Sequence, residues 1–386
     1  MKGFNEKLLG DIVTFQRGFD ITKKEQTEGP IPIVSSSGVS SFHNQSKVKA
    51  PGVVIGRKGT LGTVHYLKKD FWPHDTTLWV KDFKGNDPRF ISYFLKTLKL
   101  EVFDTGSSNP TLNRNHLHKI KVKFPNLDIQ IKIAKFISAY DDLRDNYCSQ
   151  ISEISSIIDE LFKEWFVRFR FPNFQNVEFS KGIPASWNIT SILDVPGIEL
   201  IKPNLEIFEG EKKYYATAQL DGIKLLAPTA VVTHNEKPSR AQYKPIESSI
   251  WFARMKNTFK VLAVSESCTE FINTSILSSG FVGFKADETN FPFLYCLIRS
   301  KLFHDTKDVY CTGATQESLT NGGLKHVKIL VPEVDLIEKF SVLVAPLIKQ
   351  LIQLRSLENA VEEQKEALLL RMLSGKIALE NLDQQH

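Results

Sequence analysis

The sequence predicts an α+β protein built from one plan used twice. Two mixed α/β globular parts are separated by two long antiparallel coiled-coil helices, related by an approximate internal two-fold. Three observations carry this. The first is a repeat: TGSSNPTL starting at Thr105 matches TGATQESL starting at Thr312, an offset of 207 residues. The match continues ungapped for roughly 60 residues, aligning Leu112 with Leu319, Leu117 with Leu324, Lys121 with Lys328, Pro125 with Pro332, Asp128 with Asp335 and Leu161 with Leu368. The second is a seven-residue apolar period after each of those prolines. The third is a strand-and-turn pattern ahead of them, with short β-branched runs cut by Gly, Pro and Ser clusters.

The elements follow in order. Residues 1–124 form the first globular part, with strands at Ile31–Val34, Val53–Ile55 and Thr76–Val80 and an amphipathic helix at Pro88–Leu98. Residues 125–171 form the first spacer helix. Its apolar series Ile133, Tyr140, Tyr147, Ile154, Leu161 runs beside Ile137, Arg144, Ile151, Ile158, Trp165, broken at Arg144. A helix over Ile129–Phe166 would span roughly 55 Å. Residues 172–331 form the second globular part, with strands at Ala230–Thr233, Ile250–Ala253, Lys260–Val264 and Phe281–Phe284 and a helix at Phe291–Ser300. Residues 332–378 form the second spacer helix, and 379–386 a tail. In that helix Phe340, Leu347, Leu354, Val361 and Leu368 repeat beside Val344, Leu351 and Met372, with Glu358 and Lys365 as interruptions. Pro346 should kink or delay it, and Gly375 fits a C-cap. One apolar seam needs a partner, and two in one chain supply it. Tyr147, Ile151, Ile154, Ile158, Leu161 and Trp165 should meet Leu347, Leu354, Val361 and Leu368. Upstream of the repeat core the two globular parts align poorly, a pattern of variable recognition surfaces on a common frame.

Composition sets the class. A chain of 386 residues, 42% hydrophobic and 24% charged, is an ordinary globular composition. Four scattered cysteines (Cys148, Cys268, Cys296, Cys311) lack a CxxC, so local spacing makes no zinc ribbon or redox pair. The N-terminal MKGFNEKLLGD has no signal-peptide core, and no run reaches the ~18 apolar residues of a membrane span. The expectation is a cytoplasmic protein with reduced thiols and no membrane partner.

The formal charge of +5 divides unevenly: +9 over residues 1–124, −2 over 125–171, +1 over 172–331 and −3 over 332–386. The first globular part carries the electrostatic footprint of polyanion binding. The acidic helices suit protein contacts instead.

Catalytic signatures are missing. Asp194 with Glu211-Lys212-Lys213 imitates a metal-nuclease spacing without its Pro-Asp. Asn109-Pro110-Thr111-Leu112 lacks the second proline and the aromatic of an amino-methyltransferase loop, and fits a turn leading into a helix. No GxxxxGK[ST] is present. His116-x-His118 would face one side of a strand, without further ligands for zinc. Ser35–Ser37 has no G-x-S-x-G around it. Gly56-Arg57-Lys58-Gly59-Thr60-Leu61-Gly62 follows a strand without opening a helix, so it reads as a tight basic loop between strands. Glycine there permits close approach to a nucleic-acid backbone.

In this setting the chain resembles the specificity subunits of type I restriction-modification systems. The resemblance rests on the duplicated plan and on several stretches: Leu9-Gly10-Asp11-Ile12, Ile183-Pro184-x-x-Trp187, and the loops at Gly106 and Gly313. Leu117-x-x-Ile120 and Leu324-x-x-Val327, Pro125-x-x-Asp128-x-Gln130, and Phe162-x-x-Trp165-Phe166 complete it. The resemblance implies a non-catalytic, sequence-specific DNA-binding subunit. Each globular part would be a target-recognition domain reading half of a bipartite site in double-stranded DNA. The helices would set the spacing and dock two methyltransferase subunits. Restriction/translocase subunits would complete the complex, with S-adenosylmethionine, ATP and Mg bound by the partners. Expected DNA-binding residues are Ser35, Ser36, Ser37, Arg57, Lys58, Thr60, Ser107, Ser108, Asn109 and Arg114 in the first part. Arg240, Arg254, Lys256, Thr315 and Gln316 are their rough counterparts in the second. Two other readings compete: a stand-alone nucleic-acid enzyme with a divergent site at Glu211 and Lys213, and a coiled-coil scaffold whose globular parts bind proteins.

Overall fold

In the computed structural model, which describes residues 3–103, 111–374 and 376, the chain divides into two units. Unit 1 is Met1–Asp145 with Ala360–His386, and unit 2 is Asn146–Asn359. Each holds one globular part and the stretches of both long helices that pack on it.

In unit 1 the central strand Gly52–Gly56 lies between Val64–Leu67 and Thr77–Asp82, with Thr14–Arg17 at the far edge. Every residue of Gly52–Gly56 is buried, as a strand covered on both faces requires. A second sheet centres on Ile31–Ser35, antiparallel to Gly38–His43 and parallel to Trp72–Pro73. The helix Pro88–Thr97 covers the first sheet. Pro88 opens it, and the Asp87 carboxylate caps it by accepting from the Phe90 N–H at 2.7 Å. Phe4–Leu8 pairs antiparallel with Lys121–Pro125, closing the part just before the first long helix.

Unit 2 repeats these connections. Ser249–Ala253, also buried throughout, lies between Val261–Val264 and Phe281–Ala286, with Ile198–Leu200 beyond. Lys212–Tyr215 is antiparallel to Ala230–Val232 and parallel to Ser275–Ser278. Asn188–Ser191 pairs with Lys328–Val331, as Phe4–Leu8 does with Lys121–Pro125. The helix Asn290–Arg299 is followed by Lys301–Val309, which Ser300 caps at the Phe303 N–H, 3.1 Å away.

The long helices run Leu127–Phe162 and Val334–Leu373, 36 and 40 residues, and a π-type turn at Lys163–Val167 extends the first. Within each unit they pack antiparallel. In unit 1, Ile133, Ala134 and Ile137 share a core with Leu369 and Met372. In unit 2, the rings of Phe162, Trp165 and Phe166 lie 6.3, 5.5 and 4.8 Å from Phe340.

Along the seam Ile151, Ile154, Ile158, Trp165, Leu354 and Val361 are buried, while Tyr147 and Leu161 are half-buried. Leu347 and Leu368 are half-buried as well and pack against the cores of their units, with their neighbours Ile348 and Leu369 filling the seam at 2% and 6% exposure. An α-helix drifts by about 20° per heptad, enough to pass a seam position to the next residue. Pro346 neither delays nor ends the second helix, which begins twelve residues earlier at Val334. Pro346 is exposed, so water can serve the carbonyl that its ring leaves unbonded. This helix is long and apolar enough to cross a membrane by length and composition alone. Its apolar residues Phe340, Val344, Ile348 and Leu351 are spent on the core of unit 2. Gly375 and the whole tail, 379–386, lie outside the described residues.

Candidate nucleic-acid interface

In unit 1 the basic segment Arg57–Gly62 joins Gly52–Gly56 to Val64–Leu67, so it is a loop between strands. Its base is held by backbone bonds. The Arg57 and Lys58 N–H groups donate to Thr76 O at 2.9 and 3.0 Å, and Leu112 N–H donates to Arg57 O at 3.0 Å. Lys58 forms a β-bridge with Thr111. The turn needs its glycines. A Cβ at Gly56 would sit 2.0 Å from Thr60 O, and Gly62 has φ +73°. Lys58, Thr60 and Arg114 are exposed, Arg114 as the first residue of the short helix Arg114–Leu117.

Arg57 is half-buried and donates from Nη1 to Asp75 O at 3.0 Å. Burial, with help from the Arg17 charge, holds its guanidinium below the ordinary arginine pKa. Arg17 pairs with Asp75 at 2.7 Å. Burial works to raise the Asp75 carboxyl, but the Arg17 hydrogen bond and the His74, Arg17 and Lys58 charges outweigh it and leave it below the usual carboxylate value. Beside this pair, a cleft is lined by Arg17, Gly18, Phe19, Asp20, Lys47, Trp72 and Asp75. The Lys47 ammonium sits 4.8 Å from the centre of a Trp72 ring, within cation–π range. Sequence reasoning missed Arg17, Lys47, Trp72 and Asp75. Arg17 and Asp75 are 58 residues apart, and only the fold brings them together.

The serine loop is divided. Ser36 points inward: it is 5% exposed, and its Oγ donates to Lys58 O and Thr76 O. It therefore braces the basic loop from beneath, its side chain spent internally. Ser35 Oγ bonds Gly38 O at 3.0 Å within the turn, and Ser37 is exposed. Ser107, Ser108 and Asn109 lie outside the described residues.

Unit 2 reproduces the loop base. Leu319 N–H donates to Arg254 O at 2.9 Å, as Leu112 does to Arg57, and Met255 bridges Ser318 as Lys58 bridges Thr111. Arg57 and Arg254 are thus structural counterparts whose side chains diverge. Arg254 is turned back into the fold: Nε donates to Ser279 O and Phe281 O, both at 3.2 Å, and Nη1 to Leu319 O at 3.1 Å and Asn321 Oδ1 at 2.9 Å. Lys256 pairs with Glu317 at 2.8 Å. Thr315 and Gln316 are exposed in the turn joining Cys311–Thr312 to Ser318–Leu319, and Arg240 is exposed ahead of Ala241–Tyr243.

The histidine pair does not lie on a strand. His116 is exposed on the helix Arg114–Leu117, and His118 follows it. His118 stacks on Phe15 at 5.6 Å, and its Nε2 accepts from the Phe15 N–H at 3.0 Å. Burial first, then Lys84 and Arg114, lower its pKa. Among the described residues, Asp20, His74 and Asp75 alone bring possible metal-ligand atoms within 4.8 Å of one another. The Arg17 guanidinium already occupies Asp75.

Comparison with known proteins bears on this arrangement. The family model described as "Type I restriction modification DNA specificity domain" matches residues 1–154. The type I restriction enzyme MjaIX specificity subunit of Methanocaldococcus jannaschii is 25% identical over 311 residues, 76% of this chain and 70% of the relative. The MjaVIII specificity subunit of the same organism is 22% identical, covering 97% of this chain and 93% of the relative. Among solved structures, the type I restriction-modification S subunit from M. genitalium superposes with a TM-score of 0.61 at 16% identity, covering 96% of each chain. That likeness establishes a shared fold.

Proposed function

We propose that the chain is a specificity subunit of a type I restriction-modification system, and from that premise that its parts read DNA as follows. Each unit presents one recognition part to one half of a bipartite site in double-stranded DNA. In unit 1 the backbone-pinned loop at Arg57–Gly62, with Arg114 and the Arg17–Asp75 cleft beside it, supplies phosphate contacts. Exposed Ser37 and Thr60 supply hydrogen-bonding groups for base edges. In unit 2 the counterpart loop begins at Arg254 and carries Lys256, with the Thr315–Gln316 turn and Arg240 as further contacts.

The observation that carries this reading is the duplicated loop base, with Arg57 and Arg254 accepting from Leu112 and Leu319 in the same way. Two copies of one loop on one frame suit a two-part site. The chain brings no catalytic machinery to the reading. Two methyltransferase subunits would dock on the spacer helices and hold S-adenosylmethionine. Restriction/translocase subunits would hold ATP and Mg. The complex would work in the cytoplasm of a prokaryotic cell.

Methylome sequencing of cells expressing the complete system tests this. The expected result is one methylated motif made of two half-sites and a fixed gap. Exchanging residues 1–124 for those of a relative should change one half-site and leave the other. A continuous motif, or loss of both half-sites together in an assembled complex, would overturn the reading.

A further inference from the structure

The interruptions of the heptad pattern, Glu358 and Lys365, are buried in the seam, where an apolar residue would pack without cost. A buried charge has to be paired, so where each partner comes from matters. In unit 1 the Lys365 ammonium, 5% exposed, lies 3.1 Å from Asp141 on the first helix and 2.6 Å from Glu362. Asp141 also accepts from the Tyr93 hydroxyl, and Arg89 lies 3.5 Å from it. Arg89 Nε in turn donates to Tyr93 OH at 3.0 Å. Both residues sit on the helix Pro88–Thr97 of the recognition part. One line of polar contacts therefore runs from the recognition part through the first spacer helix to the second.

Unit 2 reaches the same end with other residues. Glu358 on the second helix pairs at 2.5 Å with Lys224, which belongs to the recognition part. Asp159 on the first helix pairs at 3.1 Å with Arg299, 5% exposed, at the end of Asn290–Arg299. Apolar side chains alone tolerate sliding and tilting, whereas paired polar groups in a seam select one register. Moving the second helix by one heptad against the first would bring Glu358 or Met372 to Asp141. The first sets like charges together, and the second takes the Lys365 ammonium away from Asp141.

Resting on the DNA-reading function above, we propose that Arg89, Tyr93, Asp141 and Lys365 in unit 1, with Lys224 and Glu358 in unit 2, are positioning residues for gap length. They lock the first recognition part to both spacer helices and the second recognition part to the second helix, each at one angle. The lock makes the protein accept a single distance between half-sites.

The test uses the assembled methyltransferase complex carrying Tyr93→Phe with Arg89→Met. Methylation rates are measured on duplexes with the native gap and with one base pair removed or added. The native-to-altered rate ratio should fall on the order of tenfold, the value of one charge-assisted hydrogen bond. Preference within each half-site should stay as in the wild type, and Arg89→Lys with Tyr93 intact should restore most of the ratio. Should the double variant fail to assemble, Lys224→Gln, whose side chain is half-exposed, carries the same measurement in unit 2. A wild-type ratio in an assembled variant whose melting temperature has dropped would overturn the proposal and leave these contacts as stabilisers only. A wild-type complex that methylates no two-part site would instead remove the premise.

Discussion

Replacing Arg254 by alanine, beside Lys58→Ala, separates a scaffold cation from a DNA-facing one. Arg254 spends its guanidinium on three backbone carbonyls and the Asn321 side chain. Alanine would leave those acceptors without their charged donor. Hydrogen bonds to a charged group are worth about 1.5–3 kcal/mol, and those from one guanidinium are not independent, so the set is worth on the order of 3 kcal/mol. At about 2–4 °C per kcal/mol for a unit of this size, the melting temperature should fall by about 6–12 °C. Lys58 is exposed, and its loss should stay within about 0.5 kcal/mol. The effects on DNA run the other way. Each phosphate contact contributes about 0.9 to the slope of log affinity against log salt. Lys58→Ala should lower that slope by about 0.9, and Arg254→Ala should leave it unchanged. Thermal denaturation, with fluorescence anisotropy of the assembled complex on duplex DNA across a salt series, measures both. A reduced slope with an unchanged melting temperature for Arg254→Ala would refute the division of roles, as would the reverse for Lys58→Ala.

Three further outcomes follow from the coordinates. Burial against Phe259 and Phe303, then the Lys307 charge, push the His304 pKa down to about 4. The unfolded chain therefore takes up this proton first. Stability should fall by about 3 kcal/mol as pH drops from about 6.5 to about 4 and level off below, and His304→Leu should flatten that part of a pH series of melting curves. Gly56→Ala places a Cβ 2.0 Å from Thr60 O, so the basic loop must shift. DNA affinity should drop more than with Thr60→Ala, as anisotropy would show. Cys148 is exposed, whereas Cys296 is buried and its thiol pushed well up by that burial. Brief alkylation of the native protein followed by mass spectrometry should label Cys148 and spare Cys296.

The repeat was legible because it survives in side chains that both copies need. Leu112 and Leu319 pack inside, and Pro125 and Pro332 precede the long helices. Strands such as Ile250–Ala253 announced themselves by apolar runs. Edge strands did not: Phe4–Leu8 reads FNEKL and owes its conformation to pairing with Lys121–Pro125. The serine loop was recognisable as a loop, but nothing in three consecutive serines tells which one turns inward. The arginines show the same limit. Arg57 and Arg254 occupy one position in the repeat, and only their surroundings decide that one makes a single side-chain bond, to Asp75 O, while the other is held by four acceptors.

That divergence adds to the charge asymmetry. The first recognition part carries +9 and the second +1. In unit 2 three cations near the counterpart loop are committed, Arg254 to carbonyls, Lys256 to Glu317, and the fully buried Lys307 to Met255 O and Asp308, while Arg240 is exposed. In unit 1, Lys58 and Arg114 remain exposed, and Arg17 sits 52% exposed at the mouth of its cleft. Attraction at a distance depends on net charge and is screened within about 8 Å at physiological salt. In a DNA-reading chain, unit 1 should therefore supply most of the electrostatic capture and of the salt dependence. The neutral Thr315–Gln316 tip of unit 2 suits short-range hydrogen bonding to base edges. A modest overall charge is then what results when one half of a duplicated reader holds the backbone and the other chiefly reads sequence.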